Sequence, residues 1–307
     1  MEQLAFIVSG CWYATSIARR LRPDATLAFF GLPSGAIAWW LRRRTQTPYI
    51  ISLRGGDVPG FRPYDFAIYH KLIGPALHAI WRAADAVVAN SRGLRDLAAA
   101  FDGRIPISII PNGVEAIEFT AGEREWDSPR LLTVGRVVHQ KGLDLAMRAL
   151  SGLKDLAWEW QIAGDGNRMQ ALVDLAVSLG ISDRVHFLGW QSRRDLIASY
   201  HRANLFLFPS RHEGMPNAVL EAMASGLPVV ATRIPGTEEL IVDGECGVLV
   251  PPEDSAALRE ALRALLPDAR RRRTMGRVAR EKVERGHAWE RIAAEYARLL
   301  QAARGSA

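Results

Sequence analysis

The chain has little cysteine. Cys11 and Cys246 are the only two in 307 residues, which argues against a disulfide framework and fits a reducing cytosol. Neither belongs to a Cys-x-x-Cys pair or a Cys/His cluster, so no segment has the ligand spacing of a zinc site. No apolar run is long enough to span a bilayer. The opening, Met1 to Gly10, has no basic stretch ahead of its short apolar run and does not read as a secretion signal. Short-period repeats are absent, and no nucleic-acid-binding motif accompanies the basic charge. Paired acids of the D-x-D type are missing from strand ends. Asp155, Asp165 and Asp183 stand alone, which disfavours a metal held by carboxylates.

What remains is a globular composition, with 49% hydrophobic and 23% charged residues in a chain long enough for two domains. A formal charge of +6 leaves room for anionic partners. Strand-like and helix-like segments alternate, which favours parallel sheets covered by helices. Leu4 to Val8 is apolar and fits a strand or a helix. Ala25–Phe30 and Pro48–Leu53 read as strands around a helix near Gly35–Arg44. Ala86–Ala89 and Ile107–Ile110 read as two more, with Asn90-Ser91 capping a helix from Arg92. Gly122 to Pro129 is polar and reads as a linker. A second set of strands follows at Leu131–Val137, Glu159–Ala163, Val185–Leu188, Leu205–Phe208, Val229–Ala231 and Val248–Val250, enough for a Rossmann-like domain. A last helical pattern places Trp289, Ile292, Tyr296 and Leu299 on one face.

The segment from Arg211 to Gly226 carries the most information. Glu213 lies in a loop and Glu221 in the helix that follows, with Pro216 suited to the first helical turn. The N–H groups of such a turn favour anions, phosphate above all. An ordinary helix with two solvated glutamates is the plain alternative, and flanking segments weigh against it. This E-x7-E segment resembles the signature of the retaining glycosyltransferases of family four. Three further segments match in order. Ile110-Pro111-Asn112-Gly113-Val114 is similar to "PNGVD", with Glu115 at the Asp position. Val134 to Gly142 is similar to "GRLxxxKG", and Arg184 to Trp190 to the segment beside the nucleotide base. The likeness runs from about Pro23 to about Gln301.

The resemblance implies a GT-B fold of two Rossmann-like α/β domains facing a cleft. The expected ranges are 1–124 for the acceptor side, 125–286 for the nucleotide sugar, and 287–307 for a helix returning to the first domain, with Trp289 as a packing anchor. The implied activity is metal-independent transfer, with retention, from a nucleotide-diphosphate sugar to a glycan, lipid-linked or glycolipid acceptor. A cation at the diphosphate and a carboxylate near the sugar suit that chemistry. Arg136 and Lys141 are expected at the diphosphate. Gly214, Met215, Pro216, Asn217 and Ala218 would add backbone donors, and Glu213 would hold sugar hydroxyls. Glu221 would bind ribose. Gly189 and Trp190 would line the base, with Trp190 as a packed core edge the alternative. Gly164-Asp165-Gly166 reads as a turn or as a phosphate loop. No cofactor or metal is expected.

In the first half, Gly55, Gly56 and Asp57 resemble the family's "HGxD", with Arg54 in place of His. Arg54, Asp57 and Asn112 are thus assigned to the acceptor or sugar side, where Arg54 meets an acidic sugar, an acceptor phosphate or the donor diphosphate, with a structural salt bridge to Asp57 or Asp65 as the alternative. Trp39-Trp40 beside Arg42-Arg43-Arg44 suits either contact with an anionic membrane or buried tryptophans with a solvated last turn. Arg270 to Arg273 reads as the solvated face of a helix. The expected location is the cytoplasm, at the inner face of the membrane in one reading, with no nucleic-acid partner. Compared with the family pattern, strand–helix units ahead of Arg22-Pro23-Asp24 are short. A smaller first sheet with an exposed edge is therefore expected. The rival reading is an incomplete or non-catalytic GT-B protein that binds a nucleotide sugar or serves as a partner subunit.

Overall fold

The computed structural model describes residues 2–61, 63–122 and 124–305. Glu123, in the expected linker, and the side chain of Asp65 lie outside the described residues. The chain divides into two compact units, Met1–Asn112 with Glu290–Ala307, and Gly113–Trp289. The division falls ahead of the boundary expected at Arg124. The cause is a backbone bridge inside the second unit: Val114 N donates to His287 O at 2.8 Å, and Trp289 N donates to Val114 O at 3.2 Å. Arg124 is held in the same unit by a 2.7 Å bond to Ser225 O.

The first unit runs α1 (Glu2–Leu21), β1 (Thr26–Phe29), α2 (Ser34–Thr45), β2 (Tyr49–Leu53), α3 (Pro63–Arg82), β3 (Ala86–Ala89), α4 (Arg92–Phe101) and β4 (Ile107–Ile109). Its strands lie in the order β1-β2-β3-β4, all parallel. Alternate residues face opposite sides, as the strand period requires. Val87 and Ala89 join a core with Ile51, Leu53, Leu77 and Trp81, whereas Val88 packs with Ile110, Ile292 and Tyr296. Leu4 to Val8 is helical rather than extended, and α1 packs on α2 while exposing Phe6, Trp12 and Tyr13. Ser91 caps α4 by accepting from Leu94 N at 3.2 Å.

The second unit runs β5 (Arg130–Val134), a 3-10 turn (His139–Lys141), α5 (Leu143–Ser151), β6 (Glu159–Ala163), α6 (Met169–Ser178), β7 (Val185–Gly189) and α7 (Arg193–Arg202). It continues with β8 (Leu205–Phe208), α8 (Asn217–Ala224), β9 (Val229–Thr232), α9 (Pro235–Glu238), β10 (Gly247–Val250), α10 (Ser255–Leu265) and α11 (Ala269–Gly286). The strand order is β10-β9-β8-β5-β6-β7, again all parallel. Two cores flank the sheet. Leu131, Leu205 and Leu207 enter one, and Leu132, Phe206 and Phe208 the other. The last helix, α12 (Trp289–Arg304), contributes Ile292 and Tyr296 to the first unit's core.

Four local expectations are corrected. Arg272 does not join the solvated face formed by Arg270, Arg271 and Arg273. It is buried and bonds to Leu265 O at 2.7 Å, with further bonds to Leu266 O and Trp126 O, because the carbonyls ending α10 need donors. Trp289 is 46% exposed and is not a packing anchor; Ile292 and Tyr296 fill that role. Pro216 stands one residue before α8, extended at ψ 116°, rather than within its first turn. Neither Trp39 nor Trp40 is buried; they stack under Arg43 at 4.0 Å and Arg44 at 4.4 Å. No helix among the described residues is long and apolar enough to cross a membrane.

Candidate functional site

In the second unit β5, the first strand in sequence, lies mid-sheet, and the chain then builds outward on one side and afterwards on the other. Strand order therefore reverses between β5 and β8. In open parallel sheets, loops diverge at such a point and leave a crevice at the carboxyl ends of the strands. The loop after β5 carries Arg136 and Lys141, and the loop after β8 carries Glu213.

These loops are held closely. Gly142 has φ +61°, and a Cβ there would lie 2.0 Å from Pro209 O. Gly164, after β6, has φ +142°, and a Cβ would lie 1.9 Å from Gly135 O. Only glycine fits both places, on backbone conformation and on space. Backbone bonds complete the frame: Gly135 N donates to Ala163 O at 3.0 Å, Val137 N to Asp165 O at 2.8 Å, and Gly164 N to Gly189 O at 2.8 Å. Gly164 to Gly166 is thus a structural turn that fastens the loops after β5, β6 and β7. Arg211 fastens the loop after β8, donating to Asp144 at 3.0 Å and to His139 O at 2.6 Å.

Within this frame Lys141 Nζ lies 2.7 Å from Glu213 Oε1, with both side chains largely shielded from solvent. Gln140 Nε2 donates to His212 O at 2.8 Å, which braces the acidic loop. Arg136 is exposed and has no ion-pair partner among the described residues. Gly214, Met215 and Pro216 are buried and lead into α8, where Asn217 is exposed and Ala218 half-buried. The first intrahelical bonds run from Val219 N and Leu220 N to Pro216 O, at 3.2 and 3.4 Å. N–H groups ahead of these have no intrahelical acceptor.

Glu221, on α8, accepts from Tyr200 OH at 2.8 Å. Burial pushes its carboxyl up, while the Tyr200 hydrogen bond and the Arg193 charge pull the other way. Gly189 ends β7 at φ +67°, with open space where a Cβ would be. Trp190 is 80% exposed, which rules out the packed-edge alternative. Tyr200 and Gln140 had no distinguishing pattern in the sequence. They are a helix tyrosine and a loop amide, significant only through the acids they touch.

The first unit has its own carboxyl edge. Asp57 accepts from Gly31 N at 2.6 Å, Arg54 N at 3.0 Å and Gly55 N at 2.9 Å, joining the loops after β1 and β2. Burial raises its carboxyl, and these N–H bonds oppose the rise. Asn112 is buried and accepts from the Arg54 guanidinium. No described ion pair joins the Arg54 side chain to Asp57, so the expected salt bridge is replaced by a main-chain contact.

Residues 116–282 match the family described as glycosyl transferases group 1. The chain belongs to that family. Residues 3–113 also match the glycosyl transferase 4-like domain. Among characterised relatives, the chain is 31% identical to a glycogen synthase of Mycobacterium tuberculosis, over 74% of this chain and 58% of the relative. It is 31% identical to a D-inositol 3-phosphate glycosyltransferase of Salinispora tropica, over 94% of this chain and 66% of the relative. It is 29% identical to the lipopolysaccharide core glycosyltransferase LpsE of Rhizobium meliloti, over 74% and 67%. The chain thus spans about three fifths of the first of these relatives. Sucrose-phosphate synthase of Thermosynechococcus elongatus shares the fold at a TM-score of 0.86 and 24% identity, over 97% of this chain and 78% of that one. HepE of Anabaena, solved with UDP and glucose, does so at 0.81 and 18%, over 97% and 81%. The fold is GT-B, with two parallel-sheet α/β units.

Proposed function

We propose that the chain transfers a sugar from a nucleotide-diphosphate donor to a glycan, lipid-linked or glycolipid acceptor, with retention at the anomeric carbon and without a metal ion. The observation that carries this reading is the Lys141–Glu213 pair at the strand-order reversal, 2.7 Å apart and shielded from solvent. Each group holds the other in place while the site is empty. An arriving diphosphate competes for Lys141 and gains a second cation from Arg136. Glu213 is then released to hydrogen-bond sugar hydroxyls beside the carbon that develops positive charge. The start of α8 adds N–H donors to the anion. Glu221, steadied by Tyr200, accepts from ribose hydroxyls, and Gly189 with Trp190 borders the base. Arg136 and Lys141 supply the positive charge that a divalent ion supplies in other transferases.

Names of relatives support the class: a glycogen synthase, an inositol phosphate glycosyltransferase and a lipopolysaccharide core transferase all move sugars. Calorimetric titration with UDP and with GDP, in the presence of EDTA, tests the reading. One of the two is expected to bind, and Arg136→Ala and Lys141→Ala each to weaken it by about tenfold, the usual scale for one charged phosphate contact. Binding that needs Mg²⁺, or that ignores both substitutions, would place the nucleotide elsewhere.

A further inference from the structure

At the carboxyl edge of the first unit's sheet stands a cation with no acid against its side chain among the described residues. Arg54 directly follows β2. Its guanidinium lies 4.6 Å from the centre of the Phe29 ring and donates to Asn112 Oδ1 and, at 3.2 Å, to Tyr296 OH. Both acceptors are neutral. Tyr296 OH is itself placed by Ser52 Oγ at 2.7 Å. Asp57 is the acid that acts on Arg54, but its oxygens are occupied by the N–H groups of Gly31, Arg54 and Gly55. Among the described residues, two of the five guanidinium N–H donors are used by these contacts.

A purely structural strut to Asn112 and Tyr296 would not need a charge, because a neutral amide could donate to both. Half-burying a guanidinium with no carboxylate in contact works against folding; burial pulls the Arg54 proton affinity down, and the nearby Tyr296 and Asp57 oppose that pull. The positive charge is therefore the part that packing does not explain. The surroundings suit a sugar. Phe29 keeps 40% of its surface exposed beside the guanidinium, and a Cβ on Gly56 would meet nothing within 4 Å.

We infer that Arg54 reads an oxyanion carried by a sugar substrate, a carboxylate or a phosphate, at a site formed by Arg54, Asn112, Tyr296 and Phe29. This rests on the sugar-transfer reading above, whereas nothing in the second unit is needed to build the site. A planar oxyanion would take two parallel N–H bonds from the unused guanidinium edge, which a point charge cannot reproduce.

The test titrates the full chain with glucuronate, glucose 6-phosphate and glucose, with UDP and GDP measured in parallel. One charged sugar is expected to bind at least about tenfold more tightly than glucose, the scale of a bidentate charged contact. Which one binds tells a carboxylate from a phosphate. Arg54→Gln, which removes the charge and keeps an amide donor, is expected to remove that preference while leaving nucleotide affinity unchanged. Should that variant fail to fold, Arg54→Lys keeps the charge without the fork and is expected to weaken the charged sugar by about threefold to tenfold. The inference is overturned if glucose binds as well as both charged sugars, if none binds, or if the preference survives in the folded variant. Loss of nucleotide binding by the wild-type chain would instead refute the function proposed above, leaving the charged-sugar titrations to judge Arg54.

Discussion

The carboxyl edges of the two sheets are finished differently. In the second unit, loops after β5 and β8 meet a carbonyl so closely at Gly142 that no side chain fits, and Lys141 and Glu213 neutralise each other. In the first, one buried carboxylate, Asp57, gathers the loops after β1 and β2, and among the described residues the Arg54 guanidinium donates to neutral acceptors. The first arrangement fixes a shielded ion pair beside the exposed Arg136, which suits groups that must be in place before charge develops on a substrate. The second keeps a cation that, among the described residues, touches no acid with its side chain, which suits recognition of a group that differs between substrates. A parallel-sheet edge can thus carry a cation held by a carboxylate or one held by neutral acceptors.

The largest expected effect comes from breaking the balanced edge at its acid. Glu213→Ala should lower kcat by about a thousandfold or more, the scale for loss of a group acting on the transition state. Its circular dichroism should stay native, with a melting temperature lowered by the shielded Lys141 charge left without its partner. Wild-type turnover in this variant would remove Glu213 from the reaction.

Rigidity can be tested next, one glycine against another. At Gly164 a methyl group would stand 1.9 Å from Gly135 O, on a backbone with φ +142°. Gly164→Ala should cost about 2–4 kcal/mol by denaturant unfolding and weaken nucleotide binding as the loop after β5 shifts. At Gly56 a methyl group meets nothing, so Gly56→Ala should stay within about 0.5 kcal/mol. Equal losses at both positions would erase the contrast between the edges.

A subtler contrast lies inside the second unit. Burial raises the Glu221 carboxyl, so its charged form opposes folding and its stability penalty grows as pH rises through the ordinary carboxylate range. Glu221→Gln keeps an acceptor for Tyr200 and removes the buried charge. The melting temperature at neutral pH should hold or rise, while nucleoside affinity should fall by about tenfold through the lost ribose contact. A fall in stability with affinity unchanged would make Glu221 a structural acid.

Much of this was legible in the sequence because period and punctuation are local. Glu159–Ala163 and Leu205–Phe208 are strands with the limits that their apolar runs gave, and Ser91 caps α4 as its place before Arg92 suggested. Glu213, Lys141 and Glu221 could be singled out through segments that resemble the glycosyltransferase pattern, and the structure sets Lys141 beside Glu213 and Glu221 on α8. What escaped depends on contacts distant in sequence. Arg272 looked solvated in a run of four arginines, yet its neighbours are the carbonyls of Leu265, Leu266 and Trp126. Trp289 sits at core spacing with Ile292 and Tyr296, but it falls at the first residue of α12, ahead of the stretch that packs. Tyr200 gains meaning only through Glu221, which follows it in a different helix.

The smallest effect expected probes the first unit away from either edge. Asp102 ends α4 and receives Arg82 Nε at 2.8 Å and His78 Nδ1 at 2.6 Å, with its own side chain nearly inaccessible to water. The hydrogen bond from Arg82, then that from His78, hold its carboxyl down to about 2. A depressed acid contributes stability that is complete above its unfolded value, near 4, and is lost as pH falls through about 2. Asp102→Asn should therefore cost about 1–2 kcal/mol at pH 7, allowing for the solvent that reaches Arg82 and His78. The difference from wild type should narrow steadily between about pH 4 and pH 2. UDP or GDP affinity should be unchanged at pH 7, since the residue lies in neither set of ligand-facing loops. A stability gap that persists unchanged at pH 2 would show that packing, not charge, is what Asp102 contributes.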